Sequence, residues 1–466
     1  AVAGPLRALN AAGVEMARTE DLDVREFRRT YGLNISNSTA GGSKGTYSWD
    51  DFERTFGTDD TDACFIVCVH DPIASDYYDQ FKAKVESGGG LCFGYATMAN
   101  RFRGYGTGQR FSDYLKGAVR AWDIPVYEDS AIKRDVVRRF VTQWDKTFRT
   151  YWDRAEARSP ADERRLLKDL INEQGAAIIG IWQGGSGHAV AAYGYVEGGD
   201  GTLYVSTYDS NLPYQGFEQT NKTTRANAIS GSQITINPDG SWSGTGSVNW
   251  SGKNPQLLVY ENIPPDSANL PNTFSIASVF SSTGGSEPPA QITGIETGGK
   301  PQLDSDGLPV DGSSVDQVPD LSGNGGQPDY NLQKGREYEL TVKGTGKGGY
   351  DSSLLTGGAS ASVRGADTRA GQIDRVTIRS GEASLRFATG AGSAPVTYDL
   401  KDQTGKVTRT AAISMTAREG GEDETELSGG TLRITHDGPA TAASVALGAV
   451  GAGLPNSAQT APITIG

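Results

Sequence analysis

At 466 residues the chain is longer than one ordinary domain, and its length predicts two or three with ample material for a large core. Only 36% of it is hydrophobic while glycine contributes 62 residues, a balance that fits a β-rich, loop-rich protein better than a helical one. A formal charge of -13 leaves no basic surplus to displace counterions, which excludes a general affinity for nucleic acid or anionic membrane.

From Pro5 to Tyr31 apolar residues recur at spacings of three and four, which predicts helix, and residues 1–50 read as an N-terminal helical extension or pro-segment-like region. Asn34 to Tyr47 is a Ser/Gly/Thr-rich loop, after which Ser48 can cap a short helix through Asp51. Ala63 to Val69 is continuously apolar and predicts a buried strand ended by Asp71-Pro72. Helices are expected from Ala74 to Glu86, Cys92 to Phe102, Phe111 to Trp122 and Ala131 to Ala157, and again from Pro160, a residue suited to a first helical turn, to Gln174.

The period changes at Ala176. Ala177 to Trp182, His188 to Val196 and Thr202 to Thr207 predict three strands, with shorter ones at Gln233 to Ile236 and Gln256 to Tyr260 and a turn at Asn237-Pro238-Asp239-Gly240. Helices followed by sheet make residues 51–264 an α+β domain. Pro264-Pro265 marks its end, because all seven tryptophans and all three cysteines precede residue 251. Residues 265–335 read as a linker or irregular β segment; its Asp304-Ser305-Asp306-Gly307 run lacks calcium-loop spacing and reads as solvated loop. Residues 336–466, with short alternating runs such as Tyr338 to Val342 and Val396 to Leu400, predict an all-β sandwich as an accessory domain.

No apolar run reaches the roughly 18 residues of a membrane span. Ala1-Val2-Ala3-Gly4-Pro5 lacks the basic and apolar regions of a signal peptide, so one is either absent or already removed from this numbering. Three cysteines are too few for a disulfide scaffold, and their odd number leaves at least one unpaired. Cys64 and Cys68, four apart on one strand, would stand about 13 Å apart and are expected to be buried free thiols.

The third, Cys92, is the centre of the chain's chemistry. Gly88-Gly89-Gly90 delivers it to the start of an apolar helix, where a negative charge is favoured. Its base must be a histidine, and there are three: His70, His188 and His436. His188 follows Gly184-Gly185-Ser186-Gly187 and opens an apolar strand, so its ring can project into a cleft. Asp209 lies 21 residues further on, the length of one antiparallel hairpin, and is favoured as the group that orients the imidazole; Asn211, on the same face, is the alternative.

Three blocks in this order resemble the papain-like cysteine peptidases of bacteria. Gly90-Leu91-Cys92-Phe93-Gly94-Tyr95-Ala96 is similar to the family's cysteine motif, Gly187-His188-Ala189-Val190-Ala191-Ala192 to its histidine strand, and Tyr208-Asp209-Ser210-Asn211-Leu212-Pro213 to its third block. The resemblance covers residues 50 to 260. It implies a papain-like catalytic domain, a Cys92-His188-Asp209 triad acting on a protein or peptide substrate through an acyl-enzyme, no cofactor, and a secreted or cell-surface location. In the family a glutamine about six residues before the cysteine serves the oxyanion hole; here that position is Glu86, whose charge would repel an oxyanion, which leaves Gln80 or backbone N–H groups. A transglutaminase-type acyltransferase using the same triad and an inactive papain-like binding or adhesion protein are the rivals. The C-terminal β domain is expected to bind a surface or partner protein.

Overall fold

The computed structural model describes residues 8–9, 15–17, 24–35, 37, 47–64, 68–87, 89–103, 109–127, 129–183, 186–212, 233–244, 247, 249–254, 256–261, 268–271, 273–282, 289–318, 320–321, 328–390, 392–451 and 459–465. Gly88, Gly184-Gly185 and the expected boundary at Pro264-Pro265 lie outside them. The fold is α+β, 23% helical and 46% strand with several antiparallel sheets.

The α-helices precede residue 175: α1 (Val24–Tyr31), α2 (Trp49–Phe56), α3 (Thr58–Thr61), α4 (Pro72–Glu86), α5 (Cys92–Phe102), α6 (Ala131–Val141), α7 (Lys146–Glu156) and α8 (Pro160–Gln174). Local chemistry sets their ends. Asp71 caps α4 by accepting from Ile73 N and Ala74 N, and Ser48 and Asp51 bond to each other around the start of α2. Ser130 and Ser159 cap α6 and α8, with Pro160 in the first turn of α8 and left-handed Gly175 (φ 78°) closing it.

Several expectations change, and the helix expected from Ala131 to Ala157 is two, α6 and α7, separated by a 3-10 turn at Thr142–Trp144. The stretch from Pro5 to Tyr31 is not one helix: a strand pair, β1 (Ala8–Leu9) with β2 (Glu15–Ala17), precedes α1, and Gly13 between the strands disfavours a continuous helix. Only single 3-10 turns at Phe111–Asp113 and Ala121–Asp123 occupy the segment expected to be helical there, where Gly117 takes a left-handed φ of 84°. The apolar run at residue 63 is a hairpin, β3 (Asp62–Cys64) with β4 (Cys68–His70), which sets Cys64 opposite Cys68 in register. Cross-strand partners stand about 5 Å apart, not 13. Cys68 is disulfide-bonded and Cys92 is free, so the expectation of a free thiol at Cys68 is corrected.

The chain forms two compact units. The first comprises Ala1–Asp51, Gly89–Ala268 and Leu321–Gly326. Its sheet contains β5 (Ala177–Gln183), β6 (Ser186–Glu197), β7 (Leu203–Tyr208), β8 (Gln233–Ile236), β9 (Ser241–Gly244), β10 (Ser251–Lys253) and β11 (Leu257–Tyr260), in the antiparallel order β10-β9-β8-β7-β6-β5-β11. Leu167, Leu170 and Ile171 of α8 cover one face with Ile179, Val190, Val205 and Val259. The helix that carries Cys92, α5, packs on α6 and on β6.

Gly94 sets that helix–helix distance. A Cβ there would stand 2.1 Å from Val136 O and 3.1 Å from Phe140 N of α6. The Gly94→Ala variant is therefore expected to lose about 1–3 kcal/mol, because a backbone carbonyl cannot give way as a flexible side chain can; urea titration measures it, and an unchanged midpoint would show the helices free to separate.

The second unit comprises Phe52–Gly88, Asn269–Asp320 and Gln327–Gly466. Its strands continue the chain order as β12 (Ile276–Ser281), β13 (Ala290–Thr297), β14 (Lys300–Pro301), β15 (Val315–Val318), β16 (Asp329–Leu332), β17 (Glu337–Gly344), β18 (Gly348–Leu355) and β19 (Ala359–Thr368). They end with β20 (Ile373–Arg379), β21 (Ala383–Ala388), β22 (Ala394–Thr404), β23 (Val407–Ala417), β24 (Glu422–Ser428), β25 (Thr431–His436), β26 (Thr441–Gly451) and β27 (Gln459–Ile465). A nine-stranded and a seven-stranded antiparallel sheet share one core that includes Val279, Leu340, Val363, Phe387, Tyr398 and Ile413. Alternating burial along β17 and β23 gives each sheet its inner face. Strands β12 to β16 belong to these sheets, so the parts of the expected linker that they occupy are regular β structure.

Candidate active site

Cys92 is the first residue of α5, placed there by Gly90 in a left-handed conformation (φ 108°) and by Leu91. The loop is held from a distance: Asn37 Oδ1 accepts from Leu91 N. The next side chain anchors the helix, since the Phe93 ring meets Phe148 and Tyr260 edge-on at 5.8 and 5.4 Å. The sulfur is fully buried and doubly bonded, accepting from Ala189 N at 3.1 Å and donating to Leu321 O at 2.9 Å.

His188 lies near the start of β6, opposite Ile181 of β5, and Ala189 beside it carries the N–H that reaches Cys92. The imidazole is fully buried. Its Nε2 bonds Asp209 Oδ1 at 3.0 Å, while Nδ1 has no hydrogen-bond partner among the described residues. Asp209 is brought there because β7 pairs with β6, Ala191 opposite Tyr208, and the aspartate follows Tyr208 directly. Asn211 occupies another place: its Oδ1 accepts from Asn37 Nδ2 at 3.0 Å and its backbone N–H donates to Asp209 Oδ1 at 2.8 Å. The second carboxylate oxygen of Asp209 accepts from Ser247 Oγ.

These contacts polarise the pair. Burial alone would drive His188 toward the neutral form, but the Asp209 carboxylate and then the Cys92 sulfur outweigh it and push its pKa up to about 10. Burial likewise raises Asp209, yet His188, Ser247 Oγ and Asn211 N bring its net shift below the usual carboxylate value. The buried Arg28 guanidinium donates to Thr207 O at 2.9 Å and lies within the field of Asp209, adding positive charge on the same side. An imidazolium–carboxylate pair is the state this arrangement favours.

Leu321 sits directly on the thiol. Its carbonyl oxygen accepts from Cys92 Sγ and, at 3.4 Å, from Phe93 N; its own N–H donates to Gln143 Oε1 at 2.9 Å. A Cβ at Gly180 would meet the Leu321 side chain at 3.3 Å, so the glycine makes room for it. One residue is thus held through both its N–H and its C=O, the latter against a buried cysteine. The structure brings Cys92, His188 and Asp209 to one locus, whereas Gln80 belongs to the second unit, where its Nε2 donates to Ser278 Oγ.

Asn37, Gln143, Ser247 and Leu321 were invisible in the sequence. No family model, curated protein or solved structure matches the chain.

Proposed function

We propose that the chain is a papain-like cysteine peptidase, in which Cys92 attacks a peptide carbonyl, His188 donates a proton to the leaving amine and Asp209 orients the imidazole. The observation that carries this reading is the peptide unit of Leu321 seated on the thiol, with the bonded His188–Asp209 pair beside it. Its carbonyl marks where a scissile carbonyl would lie, and Phe93 N is the donor aimed at that oxygen. Backbone N–H then replaces the missing glutamine, consistent with the departure at Glu86. Attack by Cys92 as the thiolate beside the His188 imidazolium forms the Sγ–C bond and breaks the C–N bond, the amine leaving with the proton from His188; water, deprotonated by the now neutral imidazole, then releases the acid and regenerates the thiolate–imidazolium pair. A secreted or cell-surface location is part of this reading.

A second reading is favoured by one observation: Cys92 is 0% exposed and Leu321 covers it, as in a scaffold that only binds. Incubating the full chain with casein and a peptide-based electrophile separates the two. Casein cleavage with covalent modification confined to Cys92 supports the peptidase. A thiol that stays unmodified in the folded protein, together with intact casein, supports the binding protein.

A further inference from the structure

Away from the cysteine, the second unit buries three ionisable groups together. Lys84, in the last turn of α4, places Nζ 3.0 Å from Asp329 Oδ1 and 3.9 Å from Asp320 Oδ2, and the three side chains are 7%, 2% and 2% exposed. Strand pairing sets the carboxylates side by side, because Asp329 of β16 stands opposite Val318 of β15 and Asp320 follows two residues later. One ammonium cannot neutralise two carboxylates, and a buried uncompensated charge is costly. Asp320 is drawn toward the protonated form, so that a protonated fraction is present near neutral pH: burial pushes its pKa up to about 7 against the pull of Lys84, and Asp329 adds to the rise. Its Oδ1 has no hydrogen-bond partner among the described residues. The result is an amine donor, a neutral carboxylic acid and a carboxylate base in one dry site, the ingredients of amide condensation.

We propose that Lys84 and Asp320 condense into an intramolecular isopeptide bond, with Asp329 as the proton acceptor. Asp329 takes a proton from the Lys84 ammonium, and the freed amine attacks Cγ of protonated Asp320. A Nζ–Cγ bond forms, the Asp320 hydroxyl leaves as water with a second amine proton, and no oxidant or co-reactant is required. The three starting groups, Lys-NH3+, Asp329-COO− and Asp320-COOH, become a secondary amide, Asp329-COOH and water. All formal charge disappears from the site. The bond would tie α4 covalently to the β15–β16 edge, across a loop of 236 residues, so that neither element could separate under force or protease attack. It does not depend on the peptidase reading.

Mass spectrometry of the full chain, reduced and denatured, tests this directly. The expected mass is one water below the sequence mass, with a branched tryptic peptide joining the Lys84 and Asp320 segments and no cleavage after Lys84. The full sequence mass overturns the proposal. So does a lost water without the branched peptide, as succinimide formation at an Asp-Gly pair such as Asp239-Gly240 would give, or a branch at Asp329. The Asp329→Asn variant, checked for native far-UV dichroism, is expected to keep the full mass; if it still loses the water, the base role is wrong.

Discussion

Replacing Cys92 with alanine is expected to remove peptide hydrolysis and electrophile labelling together, by on the order of 10⁴-fold or more, because the acyl-enzyme of the proposed reaction forms on its sulfur. The substitution also strips two buried partners, Leu321 O and Ala189 N, of their hydrogen bonds to sulfur. An unsatisfied buried group costs about 1–3 kcal/mol, so Cys92→Ala should melt earlier than the parent. Cys92→Ser is the control for that effect. Its hydroxyl can still donate to Leu321 O and accept from Ala189 N, so stability should largely return while turnover should not, since a serine is a far weaker nucleophile beside this imidazole. Rates with casein and thermal melts on the three proteins separate chemistry from folding. Hydrolysis that survives in Cys92→Ala would sink the peptidase reading.

What the sequence disclosed and what it hid follow one physical distinction. Local signals were legible: α5 begins at the cysteine after the glycine run, and Gln233 to Ile236 is a strand with the bounds expected. The His188–Asp209 contact was legible too, because one hairpin links the two and antiparallel register dictates which residues meet. The same rule failed at residue 63, where a continuous apolar run carried no turn signal and concealed a hairpin. Contacts across long stretches left no trace. Leu321 lies 229 residues from Cys92, and Asn37 lies 54 from Leu91; neither a period nor a motif connects them. The Lys84–Asp320–Asp329 cluster was hidden for the same reason, since a lysine in a helix reads as part of a solvated face until the strands that bury it are known.

Changing Asp209 to asparagine is expected to reduce turnover by about 10²–10⁴-fold and to move the basic limb of the pH–rate profile to lower pH. The carboxylate holds the imidazolium, and His188 carries its proton up to about pH 10 against about 6.5 for a free imidazole. A raised folded pKa means that the native protein keeps a proton the unfolded chain has already released. The stabilisation is therefore complete below about pH 6.5 and is lost as pH climbs through 10, so unfolding free energy should fall across that window by on the order of a few kcal/mol. In Asp209→Asn the amide oxygen can still accept from Nε2, which preserves orientation, but the negative charge is gone and burial then dominates, drawing the imidazole pKa down. Two readouts should move in step: the basic limb shifts to lower pH, and the decline of stability between pH 7 and 10 flattens. A merely structural aspartate would lower stability equally at every pH and leave the limb in place. Urea unfolding at a series of pH values, beside the rate profile, decides between them, and an unmoved basic limb in a well-folded Asp209→Asn protein would remove Asp209 from the triad.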